Sequence, residues 1–258
     1  MESLVDVNVY LSRWPFRRLP DDDTPELVAR LKAHGIEQAW AGSFDALLHR
    51  DVGGVNLRLA DECRRHGAGR LLPIGAVNPR LPDWEEDVRR CDEEYRMPGL
   101  RLHPNYHGYK LDDPAVERLF DIAVERKLIV QIAVTMEDDR TQHPLVQVPH
   151  VDCQPLVEHA RRRPELRLLL LNAFRSLRVD QLEKLADVPN IAFDVAMLEG
   201  LGGISRLAKV VGIKRVLLGS YAPFFALESA LLKLDESPLA GFERVAGGGG
   251  NARALLKR

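Results

Sequence analysis

The sequence predicts an α/β protein of the (β/α)8, or TIM, barrel class. Three observations carry that expectation. Short apolar runs alternate with longer segments of helical period along the whole chain. Eight such strand-then-helix units can be counted, and 258 residues over eight units gives about 32 each, close to the roughly 30 that a βα repeat needs. Runs such as LIVQIAV and LRLLLL are apolar on both faces, as strands of a sheet covered on both sides must be.

The elements follow in order. Leu4 to Leu11 is the first strand-like run, and Pro25 to His34 sets Leu27, Val28 and Leu31 on one helical face. Thr24-Pro25 reads as a helix start with proline in the first turn, and Gly35 stands where that helix should stop. Gln38 to Ala41 precedes Val55 to His66, which ends at Gly67. Leu71 to Val77 precedes Trp84 to Tyr95. Leu100 to Leu102 precedes Pro114 to Arg126, where Val116, Leu119, Phe120 and Ala123 repeat at helical spacing. Leu128 to Val134 leads through a long polar stretch to Gln154 to Arg162. Arg167 to Leu171 precedes Val179 to Ala186, and Ile191 to Val195 precedes Ile204 to Val211. Arg215 to Leu218 precedes Phe224 to Leu234, and one more helical segment closes the series. No composition break marks a linker, so residues 1–258 read as one barrel domain. The AGGGG tract at 246–250 reads as a freed connection before the last helix. A doubly wound open sheet is the competing architecture. It rarely needs eight units, and no Gly-rich phosphate loop follows the first strand.

Charge and composition narrow the function. With 36 basic against 38 acidic residues the chain lacks the concentrated basic face that nucleic acid or an acidic membrane demands. No apolar run approaches the roughly 18 residues of a membrane span, and the first residues lack the pattern of a secretory signal. Cys63, Cys91 and Cys153 are odd in number and contain no C-x-x-C, which fits a reducing cytoplasm better than a disulfide framework. A small-molecule ligand is the expected partner. Trp14, Phe16, Phe224 and Phe225 suit either core packing or a homodimer face.

In a barrel, function collects where strands end and loops begin. Those points carry Asn8 and Tyr10, Ser43, Asn78, then His103, Asn105, Tyr106 and His107. Later strand ends offer Asn172 with Arg175, Asp194 with Glu199, and Ser220 with Tyr221. Two clusters stand out. LRLHPNYHGY (100–109) packs two histidines, two tyrosines and an asparagine after one strand. MEDDRTQHPL (136–145) packs Glu137, Asp138, Asp139, Arg140 and His143 at the start of the longest loop, 135–152. Loops of that length are usually functional or disordered, and Pro144 and Pro149 suggest an ordered segment packed over something. Charges pairing with one another in solvent are the bland alternative.

The chain resembles the amidohydrolase-related branch of the amidohydrolase superfamily, metal-dependent hydrolases and decarboxylases on a (β/α)8 barrel. The likeness rests on VDVNVYLSRWPFR, GLRLHPNYHGY and KRVLLGSYAPFF, and spans nearly the whole chain. It implies a first strand ending Asp-x-His-x-His, both histidines on the metal. It implies a last strand ending Gly-Ser-Asp-x-Pro, whose aspartate binds metal and handles the proton of the attacking water. The fifth and sixth strands would each add a histidine. Here Asn8 and Tyr10 stand where the paired histidines should be, Tyr221 where the aspartate should be, and Asn172 ends the sixth strand. LIVQIAV holds no histidine in any register. The resemblance therefore implies the family frame with its usual metal ligands replaced.

Three functions fit these residues. The first is a metal-independent hydrolase or C–C lyase acting on a small anionic or carbonyl-bearing molecule, with no cofactor. His103 or His143 would move the proton, and Arg140 or Arg175 would anchor the substrate. Tyr10, Tyr106 and Tyr221 would bond developing negative charge, with Asn8, Asn105, His107 and Asn172 completing the binding set. Water activation would fall to Glu137, Asp138 or Asp194, each needing a raised pKa. The second is a binding barrel that has lost catalysis. The third is a divalent metal, such as zinc, on relocated ligands His103, His107 and His143 with Glu137 or Asp138.

Overall fold

The computed structural model describes residues 3–257, in which strands and helices alternate as the pattern requires. The strands are β1 (Leu4–Leu11), β2 (Ile36–Ser43), β3 (Leu71–Pro73), β4 (Gly75–Ala76), β5 (Gly99–Leu102), β6 (Ile129–Ala133), β7 (Arg167–Leu171), β8 (Ile191–Asp194) and β9 (Val216–Leu217). All neighbouring pairs are parallel, in the orders β1-β2-β3 and β4 through β9. β3 and β4 are halves of one stave interrupted at Ile74, so the nine strands make eight staves. The ring closes between the first stave and the last. Val7 N donates to Leu218 O, Tyr221 N donates to Asn8 O, and Val9 bridges Ala222. Closure removes the free sheet edges that an open sheet would expose.

The outer helices are α1 (Thr24–Ala33), α2 (Val52–His66), α3 (Trp84–Glu93), the short α4 (Pro104–His107), α5 (Pro114–Glu125), α6 (Pro155–Arg162), α7 (Val179–Ala186), α8 (Gly203–Val211) and α9 (Leu227–Glu236). Short α10 (Gly241–Val245) and α11 (Asn251–Leu256) follow. α5 buries Val116, Leu119, Phe120 and Ala123, the face that their spacing predicted. α8 likewise buries Ile204, Leu207 and Val211. Each fully buried aliphatic side chain contributes about 1.5–3 kcal/mol, so the main core lies between staves and helices. Asp23 precedes α1, Pro25 lies in its first turn, and Gly35 beyond its end takes φ +74, a conformation favouring glycine.

One expectation is corrected. The AGGGG tract is not a freed connection. It forms a π-helical turn whose Gly247, Gly248 and Gly249 are buried, and Gly247 O accepts from Leu218 N of the last stave. A Cβ on Gly249 would lie 2.6 Å from Ser3 O, so the tract is glycine-rich because it lies against the chain's start.

Inside the barrel the layers differ. The lower layer is apolar: Val5, Val7, Trp40, Ile74, Ile129, Leu169, Leu171 and Leu217, with Ala252, Leu255 and Leu256 of α11 packed against it. Along β6 the inward side chains run Ile129, Gln131, Ala133, at the strand period of two. The second of these belongs to a buried polar belt, and the third to an aromatic layer at the mouth. All three cysteines are buried free thiols. Among the described residues, no helix is long and apolar enough to cross a membrane.

Candidate active site at the barrel mouth

The polar belt begins with an irregularity in β1. Its register against β2 slips between Asp6 and Val9, so three residues of one strand span two of the other. A bulge of this kind leaves carbonyls without ladder partners. Arg101, from the apolar run of β5, meets them. Its Nη1 donates to Val9 O at 2.9 Å, Nη2 to Trp40 O at 3.0 Å, and Nε to Gln131 Oε1 at 2.7 Å. Gln131 Nε2 in turn donates to Val7 O. The guanidinium is fully buried beneath the Tyr10 ring, 4.4 Å from its centroid. Gly42 makes the room, since a Cβ there would lie 2.6 Å from Arg101 Nη1.

Above this cation sits a group of fully buried carboxylates and amides. Asp6 accepts from Asn8 N, Ser220 N and Ser220 Oγ. Asn8 Nδ2 donates to Asn172 Oδ1 at 2.8 Å and to Asp194 Oδ2 at 2.7 Å, while Asn172 N donates to Asp194 Oδ1. Gly219 allows the close approach, because a Cβ would stand 2.6 Å from Asp194 Oδ2. Burial pushes the carboxyls of Asp6 and Asp194 up to about 6. Asn8 Oδ1 and Asn172 Nδ2 remain without partners. Asn172 and Tyr221 adopt left-handed φ angles of 57° and 61°, a cost of about 1–3 kcal/mol each for such residues.

The next layer is aromatic. Tyr10 Oη lies 3.0 Å from His103 Nε2, and Tyr221 Oη donates to Met136 O at 2.6 Å. Tyr10 stacks on Phe44 and Tyr221 on Phe224, at centroid separations of 4.6 and 4.8 Å. Trp14 is buried against Phe16, Phe44 and Phe224. Of the four aromatics read as core or dimer face, Trp14 is core, whereas Phe16, Phe224 and Phe225 are half-buried at the mouth. Burial drives His103 well below the usual imidazole range, with His107 and Arg101 adding repulsion, so it is neutral at pH 7. Burial likewise raises the Tyr10 and Tyr221 phenols.

Glu137 is the buried acid of this layer. One of its oxygens has no partner, and the other only a 3.4 Å contact from Thr141 Oγ1. Burial raises its pKa, while Arg17 opposes that rise. The Tyr106 hydroxyl is also buried and unpartnered, and its pKa is raised by burial and then by the charges of Glu137 and Tyr10. Buried polar atoms are normally satisfied, so these two mark a place for a ligand or water. Arg17 lies over the Phe224 ring at 4.9 Å, and His143 stacks on Phe16 at 5.4 Å.

The structure thus gathers Asn8, Asn172, Tyr10, His103, Tyr106, Glu137 and Tyr221 around the barrel axis. Of the remaining predicted residues, His107 flanks His103 with ring centroids 5.7 Å apart and His143 reaches only the rim at Phe16, while the others lie outside the group. Asp138 caps a short turn and is held by Arg140 and Arg175. These pairings drive its carboxyl far below the carboxylate range, the opposite of what a base needs. Arg140 is spent on Asp138 in solvent, and Asn105 lines a side cavity beneath Pro149 and Val151. His107 Nε2 is bonded to Ala46 O, and His143 is exposed with Nδ1 accepting from Leu145 N. The relocated histidine set is therefore not assembled: among the described residues, no three His, Cys, Asp or Glu groups are placed to hold a metal. The loop expected to be packed over something lies against the main core at its end, through Val151, while Leu145 at its centre is 87% exposed. Sequence reasoning missed Arg101, Gln131 and Arg17. An arginine inside the apolar run GLRL was the one available signal for the first of them.

The amidohydrolase family profile matches residues 10–258. The chain belongs to that family. No curated protein matches it. Among solved structures, the amidohydrolase chain is similar to 2,6-dihydroxybenzoate decarboxylase from Rhizobium, at 17% identity and TM-score 0.73, covering 100% of this chain and 99% of that one. It is similar to 5-carboxyvanillate decarboxylase from Sphingomonas paucimobilis, at 14% identity and TM-score 0.75, with 100% and 99% covered. A dihydroxybenzoic acid decarboxylase from Polaromonas, solved with manganese and 2-nitroresorcinol, aligns at 14% identity and TM-score 0.72 over 100% and 97%. At such identities the likeness establishes the barrel fold.

Proposed function

We propose that this amidohydrolase is a hydrolase or C–C lyase of a small anionic or carbonyl-bearing molecule, working at the barrel mouth without a divalent ion. The supporting observation is the donor set where the resemblance implies that the family's metal ligands would stand. Asn8 and Asn172 bring amides, and Tyr10 and Tyr221 bring phenols that burial keeps protonated. Asn8 turns an N–H donor, not a lone pair, toward Asp194. Zinc and manganese sites are built from histidine, cysteine and carboxylate, so these residues do not fit the manganese seen in the Polaromonas enzyme.

The chemistry falls to Glu137, which has a free oxygen and a pKa shifted toward the operating range of a general acid. Tyr106 offers its unpartnered hydroxyl beside it. Arg17 supplies a guanidinium at the rim for an anionic group. His103 stays neutral and fixes Tyr10. A second reading, a barrel that binds without turnover, is favoured by the full burial of His103 against Tyr10, whose ring is stacked on Phe44.

Elemental analysis of tag-free protein, with thermal shifts on adding Mn2+ and Zn2+, tests the metal-free reading. The expected result is trace metal and no stabilisation; near-stoichiometric metal overturns it. Turnover of a panel of hydroxybenzoates and small esters, lost in Glu137→Gln, supports an enzyme. Saturable binding of the same compounds without turnover selects the second reading.

A further inference from the structure

Beside the mouth, at the exit of β8, lies a second cleft of about 540 Å3 whose lining includes Arg175, Met197, Glu199, Phe225, Lys233 and Glu236. Lys233 is the unusual member. The chain has eight lysines, and the other seven are exposed, whereas Lys233 on α9 is half-buried. Its Nζ reaches Val195 O at 3.2 Å and Ala196 O at 2.5 Å. A neutral amine has two N–H donors and one lone pair. Two carbonyls that take both donors leave the lone pair directed away from them. Desolvation lowers the pKa of Lys233, against the raising charges of Asp194, Glu199 and Glu236, as happens at amine nucleophiles. Arg175 spends Nη2 on Asp138 and keeps its other N–H groups for an anion.

We propose that Lys233 is a nucleophilic amine that condenses with the carbonyl of a small anionic aldehyde or ketone bound in this cleft. The Nζ lone pair adds to the carbonyl carbon, forming the C–N bond. Both amine protons pass in turn to the carbonyl oxygen, which leaves as water as the C–O bond breaks and the nitrogen lone pair forms the C=N bond of the imine. Glu199 and Glu236 line the cleft and are the groups able to relay the proton from nitrogen to the leaving oxygen. No oxidant or reductant is required. The inference is independent of the mouth site, because neither Glu137 nor Tyr106 takes part.

Glyoxylate is the probe, with borohydride to trap the imine and peptide mass spectrometry to locate the adduct. At pH 7 Lys233 is expected to label at least tenfold faster than any exposed lysine. Arg175→Ala should slow the labelling severalfold, and a neutral aldehyde such as propanal should lose that dependence. Lys233→Arg keeps N–H donors for the two carbonyls and should abolish the adduct with the melting temperature retained. Glu137→Gln should leave labelling unchanged, which separates this site from the mouth. Adducts spread over the exposed lysines, with Lys233 no faster than they are, overturn the proposal and leave Lys233 as a clamp between α9 and the β8 exit.

Discussion

Replacing Arg101 by methionine tests whether the buried cation holds the barrel together. Methionine has a similar length and fills the same apolar path, so the change chiefly removes hydrogen bonds and charge. Val9 O, Trp40 O and Gln131 Oε1 each lose their guanidinium donor, while Val7 O keeps Gln131 Nε2. An orphaned buried acceptor costs about 1–3 kcal/mol. Asp6 and Asp194 also lose a positive neighbour. Against this stands the recovered cost of burying a guanidinium, which can offset much of a buried ion's gain. Because the acceptors remain after the donor has gone, the balance is destabilising by about 3–5 kcal/mol. With a urea dependence of about 2–3 kcal/mol per molar, the midpoint should fall by roughly 1–2 M. Unfolding followed by tryptophan fluorescence reads this directly, since Trp40 carries one of the accepting carbonyls. A midpoint within about 0.3 M of the parent would refute the reasoning, and would mean that the hydrogen bonds only repay desolvation. Arg101→Lys should recover part of the loss, because an ammonium cannot span the same fork of acceptors.

Other outcomes follow from the same layers. Gly42→Ala drives a methyl into Arg101 and should cost about 1–3 kcal/mol in urea unfolding; an unchanged midpoint would show that the guanidinium can yield. Asp6 and Asp194 are raised to about 6 from 3.8, so the native state holds their protons more tightly. Their contribution is therefore fully present below about pH 4, declines as pH rises through 6, and is flat above 7, by about 3 kcal/mol each. Melting temperatures of Asp194→Asn should fall less steeply between pH 4 and 7 than those of the parent; parallel slopes would contradict this. Glu137→Gln replaces a buried carboxylate that has one unpartnered oxygen and should stabilise by about 1 kcal/mol while abolishing turnover or binding at the mouth. A clear loss of stability would instead make Glu137 structural.

How much of this was legible in the sequence depends on the range of the interactions. LRLLLL and the helix after it are local patterns, and β7 and α7 match the expected Arg167–Leu171 and Val179–Ala186 to the residue. The break at Ile74 was not visible, because Leu71 to Val77 is uniformly apolar and proline-containing whether or not the stave pauses. Strand ends nominated Asn8, Tyr10, Asn172 and Tyr221 as site candidates, and the barrel topology brings Asn8 to Asn172 and Tyr10 to Tyr221. Glu137 and Asp138 show the limit. They are adjacent acids with opposite fates, one turned inward among aromatics and the other capping a turn under two arginines. Nothing in MEDDR distinguishes them before the turn is built. Arg101 needed still more, as its acceptors lie on β1, β2 and β6 and exist only in the closed ring.

The glycine turn under the barrel has a kinetic side. It lets Arg253 reach Ser3, a contact across 250 positions of chain, and seats Ala252, Leu255 and Leu256 against the lower apolar layer. Closing the wall between Val7 and Leu218 already meets the entropy cost of a loop of nearly that size, about 5 kcal/mol, and the floor helix, which follows the last stave, has only that finished wall to dock on. The floor should therefore be the last surface to dry. A refolding chain would pass through a state with a formed wall and an open base, presenting Val5, Val7, Ile129 and Leu169 to other chains. Refolding yield should then fall with protein concentration more steeply than native stability would suggest.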